Sequence, residues 1–264
     1  MSDEYIRAKK SLGQNFLKNR FYLNKMVDAA LASHEDQILE IGPGLGHLTS
    51  ELAKRVKKVT AIELDERLIP FLRNKFHTYK NVEIIHADAL EYSYKSLHGR
   101  WKVVASLPYY LSTPIIQKLI LARNTFISIT LMLQREVAER ISALPGGKDY
   151  GYFSVLVQLY AAPRIAFHVP PEAFSPRPRV ESAIITLAIR NSASVLLKDE
   201  AFFMLVVKTA FSQRRKTLKN ALKQLDIAQE KMNMVMSETG IDLGRRAETL
   251  AIEEFGRLAN YLCL

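Results

Sequence analysis

Leu39-Glu40-Ile41-Gly42-Pro43-Gly44-Leu45-Gly46 decides the fold. An apolar run, Ile38 to Ile41, leads into it, and a helix-like run, Leu48 to Val56, leads away. The order predicts strand, tight glycine turn, helix. Glycines let the backbone take φ > 0 and admit a ligand where a Cβ would otherwise stand. A second short strand, Val59-Thr60-Ala61-Ile62-Glu63, ends in a carboxylate. It lies about 20 residues beyond the first glycine, the spacing at which nucleotide folds grip ribose hydroxyls. A glycine turn alone is an ordinary βα connection. The pair points to a nucleoside-containing cofactor.

The alternation continues outward from this pair. Strands are expected at Gln37–Ile41, Val59–Glu63, Val82–Ile85, Lys102–Ala105 and Ile127–Leu133, with helices at Leu48–Val56, Glu66–Phe76 and Thr113–Ala122. A further helix, Phe21–Ala32, precedes them. Strand and helix in turn, with short connections, predict an α/β fold whose mostly parallel sheet is covered on both faces. Ligands of such sheets bind beyond the strands' C-terminal ends. The third strand runs into His86-Ala87-Asp88 there. Asp88 reads as a turn former or cap, or as a group facing the cofactor's adenine.

The fourth strand runs into Ser106-Leu107-Pro108-Tyr109-Tyr110. A small polar residue, a spacer, a proline and an aromatic match the pattern by which amino-methyltransferases hold a planar exocyclic amine. Such an amine is a poor nucleophile because its lone pair is delocalised into the ring. A side-chain acceptor and a backbone carbonyl can hold its hydrogens and aim the lone pair at a methyl group. The aromatic ring stacks on the extruded base, and proline fixes the backbone so that the carbonyl points inward. The plain alternative is a loop proline with two core tyrosines.

Residues Gln134–Ala143 and Tyr150–Ala162 read as helices, and Ser182–Ile189 reads as the last strand. Between them, Pro170 to Arg179 is a proline-stiffened loop carrying Phe174, Arg177 and Arg179. Asn191-Ser192-Ala193-Ser194 reads as a linker. Helices alone are expected after it, at Glu200–Phe211, Lys216–Leu225, Ile227–Glu238 and Ile252–Tyr261. The expected organisation is a methyltransferase domain over 1–190 and a helical domain over 191–264. Lys208, Arg214, Arg215, Lys216, Lys219 and Lys223 fall in a stretch with no acid. Cations without interleaved acids forgo internal pairing, which suits phosphate contacts.

Composition agrees with a polyanionic partner. The 264 residues carry a net charge of +10, an excess that a fold does not need. Nucleic acid is the first partner implied and a membrane surface the second. Hydrophobic content of 48% is that of a folded protein with a sizeable core. One cysteine, Cys263, supports neither a disulfide framework nor a cysteine metal site. The acidic start, Met1-Ser2-Asp3-Glu4, has no apolar h-region, and no apolar run approaches the roughly 20 residues of a bilayer span. A cytoplasmic setting is expected.

Across nearly its whole length the chain resembles the small-subunit (16S-type) ribosomal RNA adenine N6,N6-dimethyltransferases. The resemblance rests on Gln14-Asn15-Phe16-Leu17, Glu40 to Gly46, Glu63-Leu64-Asp65, Asp88-Ala89, Leu107-Pro108-Tyr109-Tyr110 and Phe174-Ser175-Pro176-Arg177-Pro178. Phe211 to Leu218 and Arg246-Ala247-Glu248-Thr249-Leu250 complete it. It implies a Rossmann-like sheet, S-adenosylmethionine as methyl donor and no metal. It further implies that Gly42 and Gly44 hold the methionine part of the cofactor, Glu63 its ribose and Asp88 its adenine amine. Asn15 and Leu17 close over it, and the loop Ser106, Leu107, Pro108, Tyr109 holds the target, with Ser106 also touching the cofactor. Two adjacent adenosines near the 3′ end of small-subunit rRNA would each receive two methyls, coupled to subunit assembly. The implied partner is the small ribosomal subunit, bound by a monomer through Arg177, Arg179, Arg214, Arg215, Lys216 and Lys219. His47 and His86 read as ordinary polar residues.

One position departs from the family, which usually has asparagine where this chain has Ser106. A hydroxyl can accept one hydrogen bond but lacks the rigid amide plane. Three rival readings stand beside the main one. They are a large-subunit rRNA methyltransferase of the resistance type, a DNA amine methyltransferase, and an assembly factor that methylates little.

Overall fold

The computed structural model describes residue 9, residues 13–213 and residues 215–263. Arg214 lies outside the described residues. The chain divides into two compact units, 1–138 with 162–189, and 139–161 with 190–264.

The first unit opens with a two-residue strand, β1 (Phe16–Leu17), and helix α1 (Arg20–Ala29), which Asn19 caps by accepting the Phe21 N–H at 3.0 Å. Then come β2 (Gln37–Ile41), α2 (His47–Ala53), β3 (Lys58–Glu63), α3 (Leu68–Lys75), β4 (Val82–His86), β5 (Trp101–Ser106), α4 (Ser112–Leu121) and β6 (Phe126–Gln134). After α5 (Arg135–Ser142) and α6 (Tyr152–Tyr160) the chain returns as β7 (Ala161–Val169), β8 (Phe174–Ser175) and β9 (Ser182–Ile189). Seven strands form one sheet in the order β4-β3-β2-β5-β6-β9-β7, and β1 pairs antiparallel with β8. The pairs β2–β3, β3–β4, β2–β5 and β5–β6 are parallel, and β9 is antiparallel to β6. Ile38, Leu39, Val103, Val104, Ala105 and Ile129 are wholly buried. Near-continuous apolar strands of this kind belong to a sheet covered on both faces. The fold is therefore α/β and Rossmann-like, as the residues predict, with its strand order reversing between β2 and β5.

Two expectations need correction. The apolar stretch read as one helix to Ala162 stops at Tyr160, because Ala161 already begins β7. Residues 139–161, expected in the first domain, belong with the second unit. The cause is a set of bonds that a cut near residue 190 does not foresee. Tyr160 O accepts Arg190 N–H and Leu159 O accepts Ser194 N–H, both at 2.8 Å, and Tyr160 Oη donates to Glu200 at 2.7 Å.

The second unit continues with α7 (Glu200–Phe211), α8 (Leu218–Ala221), α9 (Gln229–Asn233), α10 (Val235–Thr239) and α11 (Ile252–Leu262). Helix α7 packs on α6 and α11, burying Phe203, Val206 and Val207 with Phe255 and Leu258. The helix expected over Lys216–Leu225 is shorter. Thr217 is extended, α8 starts at Leu218, and a 3-10 turn finishes it over Leu222–Gln224. Likewise the helix expected over Ile227–Glu238 is broken into α9 and α10 at Met234. Among the described residues no helix is long and apolar enough to cross a membrane. Among them, too, no group of three or more His, Cys, Asp or Glu side chains is placed to hold a metal ion.

Candidate active site

The strand-order reversal opens a crevice beyond the C-terminal ends of β2 and β5, where α/β sheets take their ligands. The cleft there has an empty volume of about 1130 Å³, counting its open mouth. Asn15, Leu17, Gly42, Gly44, Glu63, Asp88, Ser106, Leu107, Pro108 and Tyr109 all line it. Ten positions spread over more than ninety residues of chain thus converge on one cavity.

Its floor is the glycine turn. Gly42 N–H donates to Ile62 O at 2.9 Å, extending the β2–β3 ladder past the end of β2. A Cβ on Gly42 would meet only Ser106 O, at 3.9 Å, so the turn leaves room for a ligand. Gly44 is different. Its φ is +57°, and a Cβ there would lie 2.8 Å from the Phe16 ring. Phe16 is held over the turn by its pairing with Ser175, and Leu17 by pairing with Phe174. The N-terminal segment is thereby strapped across the cleft. Gln14 adds a bond of 3.0 Å from Nε2 to Asp65 Oδ2, and Asn15 Nδ2 donates to Gly13 O at 3.2 Å.

Acids form one wall. Glu63, at the tip of β3, is 6% exposed and holds two backbone donors, Gly44 N–H at 3.1 Å and Asp65 N–H at 2.9 Å. Burial pushes its carboxyl above the usual carboxylate range, and the Asp65 charge adds to this. Asp65 itself is drawn down to about 2, chiefly by the Arg67 fork, whose bonds are 2.9 and 2.6 Å. Asp88 follows β4 and accepts the Leu90 N–H at 2.7 Å. It is a turn former and a cleft residue at once.

Glu40 is the acid that sequence reasoning missed. It is 1% exposed, lines the cleft, and its Oε2 has no hydrogen-bond partner. Burial pushes its carboxyl up to about 8, with Glu63 acting in the same direction and Thr49 and Lys75 against it. Its signal was present in the quoted stretch, as the one acid inside an apolar strand. A buried carboxyl oxygen left without a partner beside an open cavity suits a hydrogen-bond-donating ligand.

The opposite wall is neutral. Ser106 ends β5 in register with Met132 of β6, and Leu107 N–H donates to Met132 O at 3.3 Å. Tyr109 opens a 3-10 turn, and its hydroxyl lies 2.8 Å from that of Ser182. Tyr110 is exposed and packs on Gly13. The two histidines are occupied by backbone, His47 Nδ1 with Leu17 O at 3.3 Å and His86 Nε2 with Leu64 O at 3.2 Å.

A model of the family described as ribosomal RNA adenine dimethylase matches residues 6–263. The chain belongs to that family. A ribosomal RNA small subunit methyltransferase A of Clostridium botulinum is 46% identical over 97% of this chain and 94% of its own. One from Caldanaerobacter subterraneus is 44% identical over 98% of each. Among solved structures, a dimethyladenosine transferase from Plasmodium falciparum superposes with a TM-score of 0.76 at 28% identity, covering 92% of this chain and 95% of that one. The 23S rRNA methyltransferase ErmE superposes at 0.74 with 26% identity, covering 95% and 100%.

Among the described residues, the cations that the dimethylase resemblance singles out do not line the cleft. Arg177 and Arg179 are exposed on the loop after β8, and Arg177 pairs with Glu172. Arg215, Lys216 and Lys219 are exposed in the helical unit. Leu218 N–H bonded to Arg245 O and Lys219 N–H bonded to Leu243 O, at 2.8 and 2.9 Å, fix the start of α8 there.

Proposed function

We propose that this dimethylase transfers methyl groups to the N6 amines of two adjacent adenosines near the 3′ end of small-subunit rRNA, coupled to assembly of that subunit. The observation that carries the reading is the union, in one cleft, of the glycine turn and its acids with the Ser106–Tyr109 loop. The relatives at 44–46% identity, named for the small subunit, favour that substrate over the 23S rRNA of ErmE.

The residues present fit S-adenosylmethionine. The open Cβ position of Gly42 admits the methionine part, and the partnerless Glu40 Oε2 suits a hydrogen-bond donor at its ammonium end. Glu63 would accept from the ribose hydroxyls with the lone pairs its two backbone donors leave, and Asp88 from the adenine amine. Asn15 and Leu17, strapped down by β8, would cover the bound molecule and exclude water. When bound, the cofactor supplies an electrophilic methyl group on a sulfonium.

The chain's own contribution is alignment. Ser106 Oγ accepts one hydrogen of the target amine and a loop carbonyl the other, turning the lone pair toward the methyl group. Tyr109 offers its ring face to the extruded base. Positive charge passes from sulfur to nitrogen, so a strong base is not required, and the amine proton leaves to solvent. Arg177, Arg179, Arg214, Arg215, Lys216 and Lys219 are assigned to rRNA phosphates. The protein is read as a cytoplasmic monomer that needs no metal.

The test is transfer of labelled methyl to unmethylated small and large subunits. Label is expected in two adjacent small-subunit adenosines. Ser106→Ala should lower turnover about a hundredfold with cofactor binding intact, and Ser106→Asn should retain transfer. Label confined to large subunits would overturn the substrate. Subunit binding without transfer, cured by Ser106→Asn, would mark an assembly factor.

A further inference from the structure

Tyr109 is tethered at both ends. Its carbonyl accepts Ser112 Oγ at 3.0 Å, and its phenol meets Ser182 Oγ at 2.8 Å. Ser112 and Ser182 are 1% and 0% exposed, so water cannot replace either partner. Ser182 is the first residue of β9, paired across the antiparallel ladder with Gln134, the last residue of β6. The far end of the Tyr109 ring is therefore bonded to the end of the β6–β9 strand pair, not merely packed in a loop.

We propose that Ser182 is a positioning residue for methyl transfer, fixing the angle of the Tyr109 ring on which the target base stacks. This rests on the stacking role given to Tyr109 above. A ring held by packing alone can tilt with its loop. Here a tilt breaks the hydrogen bond and orphans the fully buried Ser182 hydroxyl. The constraint matters more in this chain because Ser106 holds the amine with a hydroxyl rather than a rigid amide. With one shorter hydrogen-bonding partner, more of the amine's alignment falls to the stacking surface. Ser182 touches neither base nor cofactor: it lines no part of the cleft and acts through Tyr109.

The experiment is a double-mutant cycle on the full chain with Ser182→Ala, Tyr109→Phe and both together. Ser182→Thr and Tyr109→Ala serve as controls. Initial rates are measured on unmethylated small subunits, cofactor affinity by calorimetry, and folding by thermal melting. Ser182→Ala should lower kcat about tenfold, the value of one aligned hydrogen bond in a positioning mechanism. Cofactor affinity and melting temperature should stay near those of the parent. Tyr109→Phe should match it, and the double variant should be no worse than either. Ser182→Thr, which keeps the hydroxyl, should recover most of the rate. A wild-type kcat for Ser182→Ala overturns the proposal. So does full additivity of the two losses, or a loss of rate that tracks a loss of cofactor binding or of stability. Should Tyr109→Ala transfer methyl at the parental rate, the stacking role fails. Should Tyr109→Ala cripple transfer while Ser182→Ala does not, only the positioning role fails.

Discussion

The two walls of the cleft are built from opposite materials. On the β2–β3 side stand two buried acids, Glu40 and Glu63, with Asp88 beyond them, and Glu63 is tied to the Gly44 and Asp65 N–H groups. On the β5 side stand hydroxyls, a proline and an aromatic ring, with no charge among Ser106, Leu107, Pro108 and Tyr109. The difference follows the two jobs. In the proposed reading a cationic donor meets acids, whose hydrogen bonds a low-dielectric wall strengthens. A weakly nucleophilic amine is served by geometry, and a charged neighbour would either repel the developing cation or trap it. Damage to the acid wall should therefore read out in binding and stability, and damage to the neutral wall in turnover.

The sharpest way to break this contrast is Gly44→Ala. The new methyl would meet the Phe16 ring at 2.8 Å and sit at φ +57°, where side chains are strained. Phe16 must lift, releasing the strap and shifting the N–H that Glu63 accepts. Cofactor affinity, measured by calorimetry, should fall about a hundredfold, the equivalent of about 3 kcal/mol of strain and weakened binding. Pairing the change with Phe16→Ala should recover part of it by removing the clash. If the single variant binds normally but turns over slowly, the division of labour between the walls is wrong.

Much of this was readable in the residues, and the failures have causes. Strands β2 and β9 and helix α7 fall at their expected bounds because each has the hydrophobic pattern of its class and clear flanks. Strand β7 was missed because it is the edge strand, carries Pro163, and exposes Ala162, Arg164 and His168, so it lacks a core strand's apolar run. Strands β1 and β8 are two residues each and exist only because distant segments meet. That Gly42, Gly44, Glu63 and Asp88 share one cleft was legible because glycine turns and strand-end carboxylates carry their place in their spacing. Glu40 was hidden since an acid in a strand gives no sign of which face it takes. Ser182 was hidden for a related reason: a serine heading an Ile- and Thr-rich strand looks like a polar boundary, and its partner lies 73 positions away.

Glu40→Gln sharpens the contrast through pH. The carboxyl is raised from 4.5 to about 8 in the native protein, so between those values the native state holds a proton that the unfolded state has lost. Stability then falls as pH rises across that window. The amide variant cannot ionise in either state and removes the slope. Thermal melts should show the variant gaining on the parent steadily from pH 5 to pH 8. Cofactor affinity should fall in the same variant above pH 8, where the parent carries a charge that the amide lacks. A gain in stability with unchanged affinity would leave Glu40 as buried strain with no part in binding.

The smallest effect expected separates buried from exposed charge. Arg215, Lys216 and Lys219 are exposed on a fixed turn and start of α8, whereas the cleft acids are buried. Exposed charges are screened over roughly 8 Å at physiological salt, and cations that neutralise phosphates release counterions from the nucleic acid. Reversing Arg215 and Lys219 to Glu should weaken binding to unmethylated small subunits about tenfold at low salt. It should also flatten the dependence of log affinity on log salt by roughly 0.7 to 0.9 for each phosphate that the variant no longer neutralises. Calorimetric affinity for the cofactor should not move with either the variant or the salt, because the acids proposed to hold it are buried. A salt slope unchanged by the reversal would take α8 out of the rRNA interface, and a cofactor affinity that fell with salt would mean that the acid wall is open to solvent ions in solution.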